Sequence, residues 1–250
     1  MTHITYKNIH RDGRLVKENE LYKHVHDPEF LERYSSNYIE FLRAPRLEEF
    51  RETADYLKDY HAARGQKHVK FHLPENKKPI DGLSDHLASK GFEISFTELY
   101  AIHPNDFPRM EEDPDIRVEV IRDLDDYLVF QYEQDLIYGE SFAKGKVAVH
   151  RQHFEDDHVT QLLAYYKGHP AGSVDVILKE GTAEIDGLMV HEDYRKKGIA
   201  SRLQQKVMEL YPDRTVILVA DGEDTPREMY QKQNYRYQGF QYEIQKIYTE

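Results

Sequence analysis

The period of the apolar positions changes several times along the chain, and each change marks an element. Ile116, Val118 and Val120 alternate with charged neighbours, the two-residue period of a half-buried strand. Residues 124–153 read as one or two helices with tyrosines and leucines along one face. In VTQLLAYYKGHPAGSVDVILKEGTAEIDGLMV, three apolar runs are separated by Lys167-Gly168-His169-Pro170 and Lys179-Glu180-Gly181-Thr182. Such turn chemistry predicts an antiparallel meander. Ile199, Leu203, Val207 and Leu210 then form the stripe of an amphipathic helix that Pro212 ends. TVILVA, 215–220, is a continuous apolar run suited to a strand buried on both faces. A short helix over 225–233 and a last strand over 235–247 complete an α+β order with one parallel crossover around the 198–210 helix.

The first part of the chain carries a similar alternation. A strand is predicted over 37–43, a helix over 47–64 with Phe50, Ala54, Leu57 and His61 on one side, and a strand over 69–73. A helix over 82–89 and a strand over 92–102 follow. HPNDFPRMEEDPD, 103–115, has three prolines and five acidic residues and no apolar period. It divides the chain into a smaller α/β N-terminal domain, 1–110, and a C-terminal domain, 115–250. LASKGFEISFTELYAI (87–102) aligns with YQKQNYRYQGFQYEIQ (230–245), each a helix end, a turn and an aromatic-led strand, as an internal repeat would.

Composition narrows the function classes. The 250 residues carry a formal charge of -12, shared by both halves: 17 Lys+Arg against 22 Asp+Glu in 1–115, and 17 against 24 in 116–250. Such a surface repels phosphate backbones, which argues against nucleic acid as a partner. Cysteine is absent, so no disulfide or thiolate chemistry is available, and a reducing, cytoplasmic setting is expected. The polar N-terminus has no signal-peptide core, and no window is apolar enough to span a membrane.

Against this acidity, VHEDYRKKGIASRL sets Arg195, Lys196 and Lys197 immediately before Gly198 and a helix. A helix N-terminus offers unpaired N–H groups and the positive end of its dipole, so it holds an anion without a basic surface. Gly198 lets the backbone approach that anion, and Ala200 keeps the first turn small. Strand, Arg-x-x-Gly-x-Ala, helix is physically a pyrophosphate cradle.

In element order, and in LMVHEDYRKKGIASRL above all, residues 116–247 resemble the GCN5-related N-acetyltransferases (GNAT superfamily). The resemblance implies a mixed, mostly antiparallel sheet flanked by helices, and acetyl-CoA as co-substrate with no metal. It implies a coenzyme A loop made of Arg195, Lys196, Lys197, Gly198, Ile199, Ala200 and Ser201, with the pantetheine arm along Leu188, Met189 and Val190. The family's second motif appears as EDTPREMYQKQNY, where Glu223 replaces a common Asn and Asn234-Tyr235 replaces Gly-Phe. Acyl transfer to an amine needs a base, since an ammonium near pKa 10.4 does not attack. By the family's spacing Glu184 is that base, with Asp186 two residues on as its deputy. Tyr230 is placed to protonate the leaving sulfur, and an amide near 188–190 to hold the oxyanion. Direct attack in a ternary complex, with no covalent intermediate, is the expected route. The alternative is a catalytically silent acyl-CoA-binding or regulatory protein of the same fold.

The remaining features are weaker. His24 and His26, and His150, His153 and His158, are expected as solvated surface histidines, and Glu155-Asp156-Asp157 as a solvated turn. In the N-terminal domain, the helix that follows YIEFLRAP begins RLEEF, without glycine and with two carboxylates in its first turn, which argues against a second coenzyme site. As a degenerate copy, that domain would cap the cleft or form a homodimer surface. The amine acceptor is not specified by the sequence beyond a tilt towards cations.

Overall fold

The computed structural model describes residues 3–223 and 226–248. The first half contributes β1 (Arg14–Glu18), β2 (Tyr22–His26), β3 (Tyr38–Phe41), α1 (Leu47–Ala62), β4 (His68–His72), α2 (Asp81–Ser89) and β5 (Glu93–Ile102). The second contributes β6 (Ile116–Val120), α3 (Asp125–Asp135), α4 (Glu140–Glu155), β7 (Val159–Tyr166), β8 (His169–Lys179), β9 (Thr182–Val190), α5 (Ile199–Leu210), β10 (Thr215–Asp221), α6 (Pro226–Lys232) and β11 (Arg236–Ile247). The predicted elements are present with boundaries within two or three residues. Thr225, the expected start of the last helix, lies outside the described residues.

All strands join one 11-stranded sheet in the order β1-β2-β3-β4-β11-β5-β10-β9-β8-β7-β6. Its centre is an exchange. β11, the last strand of the second half, lies between β4 and β5 of the first, and β5 lies between β11 and β10 of the second. Outward from the β5/β11 pair the two sides repeat: an antiparallel contact to β4 or β10, then a parallel pair, β3/β4 or β9/β10, bridged by α1 or α5. A pseudo-two-fold axis between β5 and β11 relates the halves, and the pairs Thr97↔Gln241 and Glu98↔Phe240 are equivalent across it. The two aligned segments of the internal repeat contain these central strands. Each half therefore completes the other's sheet through backbone hydrogen bonds.

The meander turns are built as their residues demand. Lys167 and Gly168 both take positive φ (50° and 86°), the conformation of a tight hairpin, and Gly181 takes 71° at the second turn. Ile199, Leu203, Val207 and Met208 of α5 pack on one face of the sheet, against Val174, Val176, Ala183, Ile185, Val216 and Leu218. On the opposite face α3 packs through Tyr127 and Phe130 against Leu163 and Tyr165. Gly172 sits where α5 crosses β8: a Cβ there would meet the Met189 carbonyl at 2.8 Å and the Ile199 side chain at 3.1 Å.

Two features depart from expectation. Residues 14–26 form a hairpin, β1 and β2, that apolar periodicity does not show. β1 is exposed throughout, and the inward positions of β2 are Tyr22, His24 and His26, so histidines stand where a hydrophobic pattern would need aliphatics. The histidines expected in solvent are also largely inside. His24 and His26 are buried with His61 and His68, ring centroids 4.7–6.4 Å apart for the contacting pairs. Burial lowers the pKa of His24 to about 3, of His61 to about 4 and of His68 to about 3, so they pack as neutral aromatic rings. His150 is buried against Tyr127, and His153 Nδ1 lies 2.7 Å from Asp175 Oδ2, while His158 is exposed. The run 155–157 is exposed at the end of α4.

Candidate active site

β9 and β10 pair in parallel only from Thr182↔Thr215 to Ile185↔Leu218. Beyond that both strands continue, to Val190 and Asp221, without pairing to each other. The cause is local. Across β8 the register runs Asp175↔Asp186 and then Ser173↔Met189, so β9 holds one extra residue, and Gly187 at φ 61° takes the strained position of this bulge. Past the bulge, β9 pairs with β8 at Met189 and Val190 but no longer with β10. The bulge also resets the alternation: Ala183 and Ile185 face α5, and so do Leu188 and Val190, while Met189 turns to the α3 side.

The chain runs on from β9 to the start of α5. Gly198 caps the helix in the left-handed conformation (φ 83°, ψ 0°), and Lys196 before it is also left-handed (φ 61°). The Gly198 carbonyl accepts from the Arg202 amide (3.0 Å), the first bond of the helix, which leaves the amides of Ile199, Ala200 and Ser201 pointing out of its N-terminus. A Cβ built on Gly198 meets nothing within 4 Å, so the space ahead of these donors is open. Arg195, Lys196 and Lys197 are exposed around it. Lys197 lies 5.3 Å over the Tyr166 ring, and Arg195 Nε donates to the Val190 carbonyl (3.4 Å). Ser201 is tied to the residue after α6, its Oγ accepting from Gln233 Nε2 (3.0 Å). Open amides, an uncrowded left-handed glycine and a splayed strand fit a coenzyme A pyrophosphate and the pantetheine arm that precedes it.

The equivalent place in the first half is closed by the chain itself. α1 begins at Leu47 with no glycine, and the Glu49 carboxylate accepts from the Arg46 amide (2.9 Å) and from the guanidinium groups of Arg43 (2.8 Å) and Arg46 (3.0 Å). These hydrogen bonds, that from Arg43 first, hold the Glu49 carboxyl well below the usual carboxylate range. An anion already sits where the second half leaves space for one.

Glu184 and Asp186 share one face of β9, opposite α5. Both line a cavity of about 170 Å³ whose other walls come mainly from the first half: Tyr6, Ile9, His10, Arg11, Asp12 and Arg33 among them. Glu184 is buried, and its Oε2 accepts from the His10 amide (2.6 Å). Burial raises its pKa to about 7, against the lowering effect of that hydrogen bond, which suits a carboxylate that must take up a proton near neutrality. Asp186 is half-buried beside the bulge. Tyr230 lies on α6 in the core on the α5 side of the sheet, its ring 5.4 Å from both Tyr100 and Tyr235, and burial pushes its pKa up to about 12. The two carboxylates and the phenol thus lie on opposite faces of the sheet.

The segment around His10 contributes to the cavity without any sequence signal that ties it to Glu184. Its anchors are tertiary. Ile4, Tyr6 and Ile9 pack on Leu99, Ala101 and Ile217, and Lys179 Nζ donates to the Ile9 carbonyl (2.7 Å). His10 Nε2 lies 3.1 Å from Asp12 Oδ1, and Arg33 pairs with Asp12 at 2.7 Å. Arg11 reaches across to Gln241 Oε1 (2.9 Å) and to His72 Nδ1 (2.8 Å). The local sequence, NIHRDGR at 8–14, is densely charged.

Comparison with known proteins shows likeness at the level of family and fold. Residues 121–235 match the model of the Acetyltransferase (GNAT) family, and residues 4–100 match a Domain of unknown function (DUF5613). No curated protein matches the chain. Among solved structures, a functionally unknown conserved protein from Staphylococcus epidermidis ATCC 12228 is 31% identical, with 98% of each chain covered and a TM-score of 0.89. A GCN5-related N-acetyltransferase from Kribbella flavida shares the fold at 14% identity and TM-score 0.58, over 93% of this chain and 89% of the other. A tandem GNAT protein from the clavulanic acid biosynthesis pathway shares it at 11% and 0.56, over 84% and 75%.

Proposed function

Because the second half of the chain belongs to the acetyltransferase (GNAT) family, we propose that the protein is an acyl-CoA-dependent N-acetyltransferase acting on a primary amine. The observation that carries this reading is the bulge at Gly187. Past it β9 no longer pairs with β10, the chain leads on to the bare amides of α5, and the buried Glu184 lies on the same strand.

When bound, acetyl-CoA supplies an activated acyl thioester. The amides of Ile199, Ala200 and Ser201, with Arg195, Lys196 and Lys197 around them, hold its pyrophosphate, while the open edge of Leu188, Met189 and Val190 receives the pantetheine amides. Glu184, directly or through water and with Asp186 beside it, takes the proton from the acceptor ammonium, so that the amine reaches the acyl carbon neutral. A backbone amide of 188–190 donates to the oxygen on which charge develops. Tyr230 gives its proton to the departing sulfur, a role suited to a phenol that burial keeps protonated. No group of the protein is acylated on this route. Most of the acceleration comes from holding two substrates in line. The first half walls the cleft opposite Glu184.

The test is free-thiol release from acetyl-CoA against a broad amine panel, with wild type, Glu184→Gln and Tyr230→Phe side by side. Thiol release that depends on the amine and falls in both variants supports the assignment. Acetyl-CoA binding with no thiol release from any amine would leave a binding or regulatory protein as the correct reading.

A further inference from the structure

Acetyl transfer to an ammonium leaves a proton behind at every turnover. The ammonium loses two: one ends on the departing thiol and the other on Glu184, and the amide product carries neither. Glu184 must return its proton to solvent before the next cycle, yet it is only 5% exposed and its Oε2 is bonded to the His10 amide (2.6 Å). Its cavity adjoins a wider pocket of about 430 Å³ formed by the 10–14 segment, α4 and β8, with Arg14, Glu29, Asp156 and His158 exposed along it. Of the described residues, three line both spaces: His10, Asp12 and Arg33.

His10 is the one of the three suited to carry a proton. Arg33, like Arg11 in the cavity wall, keeps its own at any working pH. Burial would raise the Asp12 carboxyl, but the hydrogen bond from His10 and the charge of Arg33, 2.7 Å away, hold it at about 2. A carboxylate so held only accepts, so the 3.1 Å contact is donated by His10 Nε2, and Nδ1 is the nitrogen that gains and loses a proton. The same hydrogen bond, against burial, raises the His10 pKa above the usual imidazole value. With Glu184 at about 7, exchange between the two groups is close to balanced. Two other ionisable groups face His10: Lys179 of β8, which donates to the Ile9 carbonyl (2.7 Å) and fixes the segment, and, across the wider pocket, His153 of α4, which is held by Asp175. Elsewhere in the Glu184 cavity, Glu243 is engaged by Lys70 (2.6 Å), while burial keeps the His72 imidazole neutral and the Tyr6 phenol protonated. Asp186 lines both this cavity and a second groove, and is the competing exit.

On the acetyltransferase reading of the site, we propose that His10, contributed by the first half, is the proton carrier that returns Glu184 to its ionised form after each transfer. Its backbone amide holds the carboxylate, so its imidazole stands within one bridging water of the same oxygen. As the thioester C–S bond breaks and the amide C–N bond forms, Glu184 takes one ammonium proton. It passes this proton to His10 Nδ1, and the imidazolium releases it to solvent in the wider pocket.

The experiment follows thiol release from acetyl-CoA in dilute HEPES, with and without added imidazole, for wild type, His10→Asn and Asp186→Asn of the full chain. Asparagine keeps the backbone donor to Glu184 and removes the imidazole. His10→Asn should lower kcat about ten-fold, leave KM for both substrates within about two-fold, and regain most of the lost rate in imidazole, to which wild type is indifferent. Damage to the segment alone would not be repaired by a free imidazole. An unchanged kcat, a loss that imidazole does not repair, or repair of Asp186→Asn instead overturns the proposal. A histidine titration by NMR runs beside it: the His10 pKa should be lower in Glu184→Gln than in wild type, and identical curves also overturn the proposal. Absence of thiol release from wild type with every amine removes the acetyltransferase, and with it the proton to be carried. Turnover by wild type with an unrepaired His10→Asn removes the carrier alone.

Discussion

Replacing Gly198 separates backbone strain from ligand space. Because the residue is left-handed, any L side chain except Asn or Asp costs about 1–2 kcal/mol in the free protein. No steric cost is added, since a Cβ there meets nothing within 4 Å. For a chain of this size, each kcal/mol corresponds to about 2–4 °C in Tm, so Gly198→Val should unfold about 2–8 °C lower. Acetyl-CoA at a hundred times its Kd stabilises the wild type by about 2.7 kcal/mol, a rise of about 5–11 °C. The new side chain projects into the space ahead of the Ile199, Ala200 and Ser201 amides, so that rise should disappear in Gly198→Val. Gly198→Asn sharpens the test: Asn accepts the left-handed conformation, so Tm without ligand stays within a few degrees of wild type while the acetyl-CoA rise is still lost. Differential scanning fluorimetry with and without acetyl-CoA reads both quantities. A full ligand-induced rise in both variants would show that the pyrophosphate is not held at the start of α5.

Further outcomes follow from the same geometry. Glu184 binds its proton more tightly in the folded protein, with a pKa of about 7 against the ordinary 4.5. The resulting stability is complete below pH 4.5 and is lost as pH rises through 7, by up to about 3 kcal/mol. Urea titrations should show this slope in wild type and its absence in Glu184→Gln, whereas parallel slopes would remove the buried acid from the account. In turnover, activity should rise through pH 7 as Glu184 loses its proton, and Glu184→Gln should cost about 10²–10⁴-fold in kcat at pH 8. Tyr230→Phe keeps the ring that packs on Tyr100 and Tyr235, so it should lower kcat about 100-fold with Tm nearly unchanged. An equal loss of Tm and activity would make Tyr230 a packing residue. Leu203→Ala, in the fully buried stripe of α5, should cost about 2–5 kcal/mol by urea titration, and a cost under 1 kcal/mol would contradict the packing of α5 on the sheet.

Local pattern carried much of the fold. The meander turns required Gly168 and Gly181, the stripe of Ile199, Leu203 and Val207 required a helix, and TVILVA required a doubly covered strand; all three are where the chain predicts them. The start of α5 was legible for the same reason, since a left-handed cap and bare amides follow from a few adjacent residues. The hairpin of β1 and β2 was not, because His24 and His26 occupy its buried positions and become apolar only once burial has discharged them.

The sequence by itself determined the half of the molecule in which contacts are local: the element order of the second half, the left-handed cap at Gly198 and the closed start of α1, where Glu49 answers its own helix. Tertiary structure alone decided how the halves combine. The order β4-β11-β5-β10 depends on pairing between residues more than a hundred positions apart, and no local period encodes such a partner. The environment of Glu184 is decided in the same way. Its altered pKa comes from burial beneath a segment near the N-terminus, with the His10 amide on its oxygen, and a carboxylate's own sequence neighbours do not specify what will cover it.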